Sequence, residues 1–288
     1  MLELRRLRLL RELHQRGTIT AVARALNFSP SAVSQQLAIL EREASVPLLE
    51  PVGRRVRLTP QGEILVGHAD AVLAELERAE SALANSVHST AGTLRVAAFQ
   101  TAVLALMPAV LIRLGAECPD LRVEVTEREP ESALPAMVAG DYDLVIAEEY
   151  PGNPLPRPPQ IERRDLMADE LLLATPISWP GGSLRELRHR PFAMEPPGSP
   201  AGQWALAACR AAGFEPDVRY TTTDLQIHLR LVEAQLAAAM VPELTGVRDR
   251  GSVAVRRLPG GPVRQILAAF RRGASEHPAI RAFITAAG

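Results

Sequence analysis

The chain has 288 residues, 47% hydrophobic and 23% charged, enough to bury a sizeable core and long for a single compact unit; the composition is that of an ordinary globular protein and argues against disorder. No apolar run of about 18 residues occurs, and the opening MLELRRLRLLREL alternates arginine with leucine, so neither a signal peptide nor a membrane span is expected and the cytoplasm is the expected location. The formal net charge of -1 hides an asymmetry, because residues 1–57 carry ten arginines against five glutamates, the footprint of a nucleic-acid-binding module.

The first 16 residues read as a leucine-rich helix that Gly17 ends. Thr20 is placed to cap a short second helix, Ala21 to Leu26, and Asn27-Phe28-Ser29 makes a turn. Ser29 is a good N-cap and Pro30 suits the first helical position, so a third helix is predicted from Pro30 to Ala44. On it Val33, Leu37, Leu40 and Ala44 form one apolar stripe. Ser31, Ser34, Gln35, Ala38 and Arg42 occupy the other side, which carries no carboxylate and would tolerate a groove walled by phosphates.

Two short apolar stretches around Gly53-Arg54-Arg55 predict a two-stranded wing whose arginines can reach phosphates or a narrow minor groove. Thr59-Pro60 then begins a long helix reaching about His88, with one apolar stripe suited to pairing with a second copy. Ser86 to Gly92 reads as a hinge. From Thr93 strands and helices alternate: LRVAAF, a helix from Ala102 to Gly115, LRVEVT, a helix from Pro130 to Ala139, and DLVIAEE. After PGNPLPRPPQ, a second α/β unit starts at ELLLAT, with helices at Ala201 to Ala212 and Leu225 to Leu236. Strands are predicted at Ala237 to Pro242, Val253 to Leu258 and Gln265 to Phe270, and a last helix near Ala279 to Ala286. Two α/β lobes joined by crossing strands would hold a ligand between them. The predicted fold is therefore α/β with a largely α-helical, winged helix-turn-helix N-terminal domain, divided as 1–58, a linker and dimerisation helix with hinge over 59–91, and a two-lobed unit over 92–288.

The stretch GTITAVARALNFSPSAVSQQLAILEREASVPLLEPVGRRVRLTPQG, followed by GTLRVA, GDYDLVIA and LVEAQLAAAMVPE, resembles the LysR-type transcriptional regulators along nearly the whole chain. The resemblance implies a DNA-binding site comprising Thr20, Ser29, Pro30, Ser31, Ser34, Gln35, Arg42, Arg54 and Arg55. It implies a periplasmic-binding-protein-like effector domain in which Thr101, the Pro197 to Ser199 loop and the Thr221 to Thr223 loop, Thr222 included, meet a small molecule. It also implies a homodimer or homotetramer on a double-stranded promoter inverted repeat, with RNA polymerase among the partners it allows and no membrane, cofactor or metal. Leu49-Glu50-Pro51 departs from the family's usual basic wing, and Gln35 stands for a common arginine, which shifts preference from guanine toward adenine. Glu148 and Glu149, at a strand end, are expected to be solvated; facing inward, they would suit a cationic or polyhydroxyl effector.

Rival classes find less in the residues. Six scattered histidines have no metal-ligand spacing, and no GxSxG, P-loop or strand-linked GxGxxG occurs, so an enzyme is not expected. A redox-sensing regulator would have to use Cys118 and Cys209, which only the fold could bring together. A plain solute-binding protein explains the C-terminal half and leaves the basic N-terminus without a role.

Overall fold

Capping hydroxyls set the helix starts of the N-terminal module. In the computed structural model, which describes residues 1–26, 28–53, 55–87, 90–180 and 182–288, α1 (Leu4–Arg16) ends at Gly17 in the left-handed conformation, φ 72°. Thr18 accepts a hydrogen bond from the Ala21 amide at 3.2 Å and caps α2 (Ile19–Ala25). This corrects the expectation for Thr20, which lies inside the first turn: the extended backbone a cap requires falls at Thr18, directly after the glycine. Ser29 caps α3 (Pro30–Ala44) through the Ala32 amide at 3.1 Å, with Pro30 in the first turn. Val33, Leu37 and Leu40 are buried against Leu9, Leu10, Leu13 and Val22, so the predicted stripe is the seam of the module.

The wing is β1 (Leu49–Val52) against β2 (Arg55–Leu58), antiparallel, with Val52 opposite Arg55. Thr59 caps the long α4 (Pro60–Ser86). Its first turns bury Val66 and Ala69 in the module's own core, while Ile64, Val72, Leu76 and Leu83 stay exposed. The helix thus has two jobs along its length: Val66 and Ala69, which lie outside the predicted stripe of Ile64, Leu65, Val72, Leu73, Leu76, Ala79 and Leu83, meet the module core together with Leu65, and most of the stripe stays open. The predicted end, His88, lies outside the described residues; the helix itself stops at Ser86.

The remainder builds two lobes on one continuous strand path. In the first, β4 (Leu121–Glu127), β3 (Gly92–Ala98) and β5 (Leu144–Glu149) are parallel neighbours and β11 (Val263–Arg271) lies antiparallel beside β5. In the second, β9 (Ala238–Pro242), β7 (Pro191–Met194) and β8 (Asp217–Thr221) continue the path, with β10 (Val253–Arg257) alongside. The 16-residue β6 (Ile161–Pro176) joins them: residues 161–170 pair with β11, and 171–176 with β9 and β10. At about 3.3 Å per residue such a strand is long enough to run through both lobes. ELLLAT is only its second half. The bulge between Ile266 and Leu267, opposite Met167 and Asp165, falls where β6 and β11 cross.

Helices cover both faces of each lobe. The predicted 102–115 helix is two, α5 (Gln100–Ala105) and α6 (Met107–Glu117), because Pro108 must sit in a first turn and restarts the helix. Then come α7 (Pro130–Ala139), α8 (Pro200–Ala211), α9 (Leu225–Glu233) and α10 (Pro278–Ala287), which returns to pack on the first lobe. α9 stops before the predicted Leu236, since Gln235 turns to φ 63°. Farther along α4, the Ser81 hydroxyl donates to the Gly273 carbonyl at 3.3 Å and Glu77 pairs with Arg271, so the helix lies along the first lobe. Gly273, φ 93°, admits that approach: a Cβ there would stand 2.3 Å from the Ala74 carbonyl. Gly273→Ala is expected to destabilise the chain by about 2 kcal/mol, read as a lower denaturation midpoint; an unchanged midpoint contradicts this packing.

Candidate functional site

On α3, Ser31, Ser34, Gln35, Ala38 and Arg42 all lie on the side away from the buried seam and reach solvent. The helix does carry two glutamates, and both are turned to structural use. Glu43 receives Arg6 of α1 in a fork at 3.0 and 2.7 Å, while Arg6 also donates to Gln36 at 3.1 Å. The Glu41 carboxylate accepts the Leu48 and Leu49 amides at 2.8 and 3.0 Å, fixing the entry to the wing. The face left outward is therefore hydroxyl, amide and guanidinium, flanked by exposed Thr20, Ser29 and Pro30 and by the wing arginine Arg55. Arg54 lies outside the described residues. Glu50 pairs with Arg57 at 2.9 Å, so the wing's departure from the usual pattern neutralises one of its own cations.

A second site lies between the lobes. Its floor is Arg264, only 1% exposed, from β11. Its Nε and Nη2 reach Asp169 of β6 at 2.9 and 2.7 Å, its Nη2 also reaches Thr101 Oγ1 at 2.7 Å, and its Nη1 pairs with Glu148 of β5 and lies 3.4 Å from Tyr150 Oη. The Phe99 ring stacks 5.0 Å from its guanidinium carbon. Gln100 of α5 donates to Asp224 Oδ1 at 2.7 Å and accepts the Leu225 amide at 3.1 Å, a latch from the first lobe to the start of α9.

Above this floor is a cavity of about 250 Å³ lined by Glu129, Glu131, Glu148, Glu195, Ser199 and Thr223, among others. Of the predicted effector residues, Ser199 lines it while capping α8 through the Gly202 amide at 3.0 Å. Thr101 is buried beneath, bonded to Arg264, and Pro197 is exposed to solvent. Thr222 accepts the Asp224 amide at 3.1 Å, and its neighbour Thr223 faces the cavity. The expectation that Glu148 and Glu149 are solvated is corrected: Glu148 is half-buried on Arg264, and Glu149 pairs with Arg163 at 2.8 Å. β5 ends beside β11, whose register puts Glu148 opposite Ile266, within reach of Arg264.

Residues 88–288 match the family described as LysR substrate binding domain, and residues 4–63 that described as bacterial regulatory helix-turn-helix protein, lysR family. The chain belongs to the LysR family of transcriptional regulators. Its relatives include the transcriptional dual regulator GltC of Bacillus subtilis, 26% identical over 85% of this chain and 82% of that protein. A "Probable hydrogen peroxide-inducible genes activator" of Streptomyces viridosporus is 31% identical over 88% of this chain and 83% of its own length. Among solved structures, a full-length OxyR variant from Pseudomonas aeruginosa has a TM-score of 0.69 at 20% identity, covering 99% of this chain and 94% of that one. CbnR in complex with its target DNA has a TM-score of 0.56 at 23% identity, covering 99% and 98%.

Like other LysR-family regulators, the chain combines a helix-turn-helix DNA-binding module with an effector-binding domain, and its promoter binding is modulated by a small molecule. The peroxide-linked relative makes the two thiols worth placing. Cys118 packs on the core of the first lobe and Cys209 is buried in the second. Burial pushes the Cys209 thiol up to about 12, the reverse of the lowered value a reactive sulfur needs. Among the described residues no helix is long and apolar enough to cross a membrane.

Three cleft residues escape a reading of the sequence: Arg264, Glu129 and Glu195. An arginine just ahead of the apolar run of β11 is the available signal for the first; the glutamates sit beside helix and strand ends whose facing only the fold decides. Burial, and then the nearby Glu148, push the Glu195 carboxyl up to about 8, although Ser199 and Arg264 oppose the shift. Desolvation with Glu148, Glu131 and Glu127 raises Glu129 to about 7. A carboxyl raised in the folded state keeps a proton the unfolded chain has lost, so each contributes instability that grows from the ordinary carboxylate range up to its folded value and is complete above it. Glu195→Gln is accordingly expected to melt close to the parent near pH ~5 and clearly above it near pH ~8.5. Equal differences at both pH values would contradict a buried, crowded Glu195; comparing variant with parent removes the opposite slope of His228, which burial holds neutral.

Proposed function

We propose that the chain binds a promoter inverted repeat as a homodimer or homotetramer, with α3 in the major groove and the wing on the flanking backbone, and that an effector held between the lobes alters this binding. The observation that carries the reading is the outward face of α3, cleared of carboxylates because Glu41 and Glu43 are engaged elsewhere. Ser31, Ser34 and Gln35 read base edges; Thr20, Ser29, Arg42, Arg54 and Arg55 set the register on phosphates, and Pro30 packs on the nucleic-acid backbone beside them. The functional division is 1–58, 59–91 and 92–288. The exposed Ile64, Val72, Leu76 and Leu83 of α4 suit burial against a second copy, which places two recognition helices on successive grooves. The chain works in the cytoplasm, without catalysis, and RNA polymerase is the machinery it would act on.

The same geometry supplies a route from effector to DNA. α7, about 15 Å long, begins at Pro130 and Glu131 in the cavity wall. It ends at carbonyls that α1 grips: Arg8 donates to Ala139 and Arg11 to Val138, both at 3.0 Å. Gly140, φ 95°, leaves room for Arg8, whose Nη2 would lie 2.6 Å from a Cβ there. Arginine against the negative end of a helix is favourable, and a shift of α7 would be felt directly by α1 and, through Arg6, by α3.

Gln35→Ala is expected to relax discrimination at one base pair by about 1–3 kcal/mol. Arg54→Ala with Arg55→Ala should weaken binding to every sequence and flatten the salt dependence by about two phosphate contacts. A promoter footprint and salt titration unchanged in both variants would exclude this docking. Arg8→Ala with Arg11→Ala should remove about 2–4 kcal/mol of docking and split the melting curve into separate module and lobe transitions. A single unaltered transition would sever α1 from the route.

A further inference from the structure

The interlobe cavity has a one-sided charge. Glu129 and Glu131 come from the start of α7, Glu148 from the end of β5 and Glu195 from just after β7, and among the described residues no arginine or histidine lines its wall. Arg264 lies beneath, but Glu148, Asp169, Tyr150 and Thr101 occupy its donors while 1% of its surface is exposed. An incoming anion would therefore find that guanidinium already taken. The N-termini of α7 and α8 point the other way electrostatically, since helix starts favour negative charge. Both are already answered: Glu131 lies in the first turn of α7, and Ser199 takes the Gly202 amide at the start of α8.

A second observation is independent of the carboxylates. The slot adjoining the cavity, which shares Glu195 and Ala201 with it, is lined by His228, 1% exposed. His228 Nε2 lies 2.9 Å from the Thr222 carbonyl. A carbonyl can only accept, so Nε2 carries the hydrogen and Nδ1 is left as a lone-pair acceptor. That Nδ1 is buried and has no partner among the described residues. A buried acceptor without a donor is costly and calls for a small donor, and the slot, about 10 Å³, has room for one water or the tip of a single N–H group reaching in from the cavity. Among the described residues no three of histidine, cysteine, aspartate and glutamate converge closely enough to hold a metal ion, so the spread of carboxylates suits an organic cation better than an inorganic one.

Taking the cleft as the effector site of the preceding reading, we infer that the effector is a small organic cation, an amine or guanidine whose charged nitrogen is received by Glu195, Glu148 and Glu129. Its remaining N–H groups would serve the acceptors that line the cleft. The cavity lies below the ~300 Å³ at which small-molecule sites usually begin, so the ligand is short.

The test uses the full chain free of DNA, in calorimetry and melting experiments above the range where Glu195 titrates. Putrescine and agmatine are the probes, with butanediol as neutral counterpart, succinate as anion and calcium as metal cation. One or both amines should bind saturably and raise the melting temperature, and the other three should not. Glu195→Gln and Glu129→Gln should each weaken that binding about tenfold, the equivalent of ~1.4 kcal/mol. Glu195→Gln is expected to fold, because it removes a buried ionisable group, and its own melting curve checks this; Glu129→Gln at the cavity mouth provides a second variant. Failure of both amines to bind at millimolar concentration, binding of succinate, equal binding of calcium, or amine binding indifferent to both variants overturns the inference. Promoter binding measured in parallel separates the two levels: if it persists while the amines fail, only the ligand class is wrong, and if it too is absent the regulator reading falls with it.

Discussion

A guanidinium almost wholly withdrawn from water fixes the geometry between the lobes. Arg264 stands where β11 crosses between them, and it is tolerable there only because β5, β6 and α5 each bring an oxygen to it. Burying such a cluster gains little stability over a packed apolar core, whereas removing one partner would cost roughly 3–5 kcal/mol by stranding the rest. The arrangement therefore acts more as a template than as a glue. It holds the strand ends that carry the cleft residues at set positions, and the bulge after Ile266 lies two residues away, where the crossing strands can flex without disturbing it.

The consequence for the cleft is an excess of acceptors. With Arg264 satisfied from below, carboxylates above it face one another with no basic side chain of the described residues between them. Burial and mutual repulsion raise Glu195 and Glu129. An empty cleft at neutral pH thus holds protons that a bound cation would displace, which couples ligand capture to proton release through the same side chains. Charge in the N-terminal module is handled by the opposite device. There the glutamates of α3 are engaged by Arg6 and by wing amides, and the outward face of α3 is left without a carboxylate.

How much of this can be read from residues alone depends on range. α3 is legible to its ends because its cap, its first-turn proline and its apolar stripe are set by neighbours a turn or so apart. The wing and the start of α4 follow from equally local signals. The first half of β6, IERRDLMADE, is not legible because it mixes charged residues with only a few apolar ones, and its strand character comes from pairing with β11 about a hundred positions later. Thr18 rather than Thr20 caps α2 because the preceding glycine decides where the backbone turns extended, a two-residue shift that propensity cannot resolve. Arg264 and Asp169 are invisible as a pair, being 95 residues apart, and so the inward facing of Glu148 reads as solvation. Long-range pairing makes the ligand site, and local rules do not reach it.

The junction between the two halves leaves several buried polar groups unmet. Of the buried side-chain atoms lacking a partner among the described residues, Arg11 Nε, Gln15 Oε1, Arg16 Nη2 and Asp70 Oδ1 all belong to α1 or α4, and a cavity of about 560 Å³ opens between these helices and the first lobe. Each unmet group costs on the order of 1 kcal/mol or more. An interface joined by arginine to helix-end carbonyls and left partly unsatisfied is one that small forces can rearrange, unlike the close-packed cores on either side. α7 touches both the acidic cavity and this junction, so a ligand that neutralises its first turn acts at one end of a short helix, interrupted by Pro135, whose other end rests on this partly unsatisfied junction. The recognition helix moves with α1 because the Arg6 fork and the Leu9, Leu10 and Leu13 seam bind the two helices as one body.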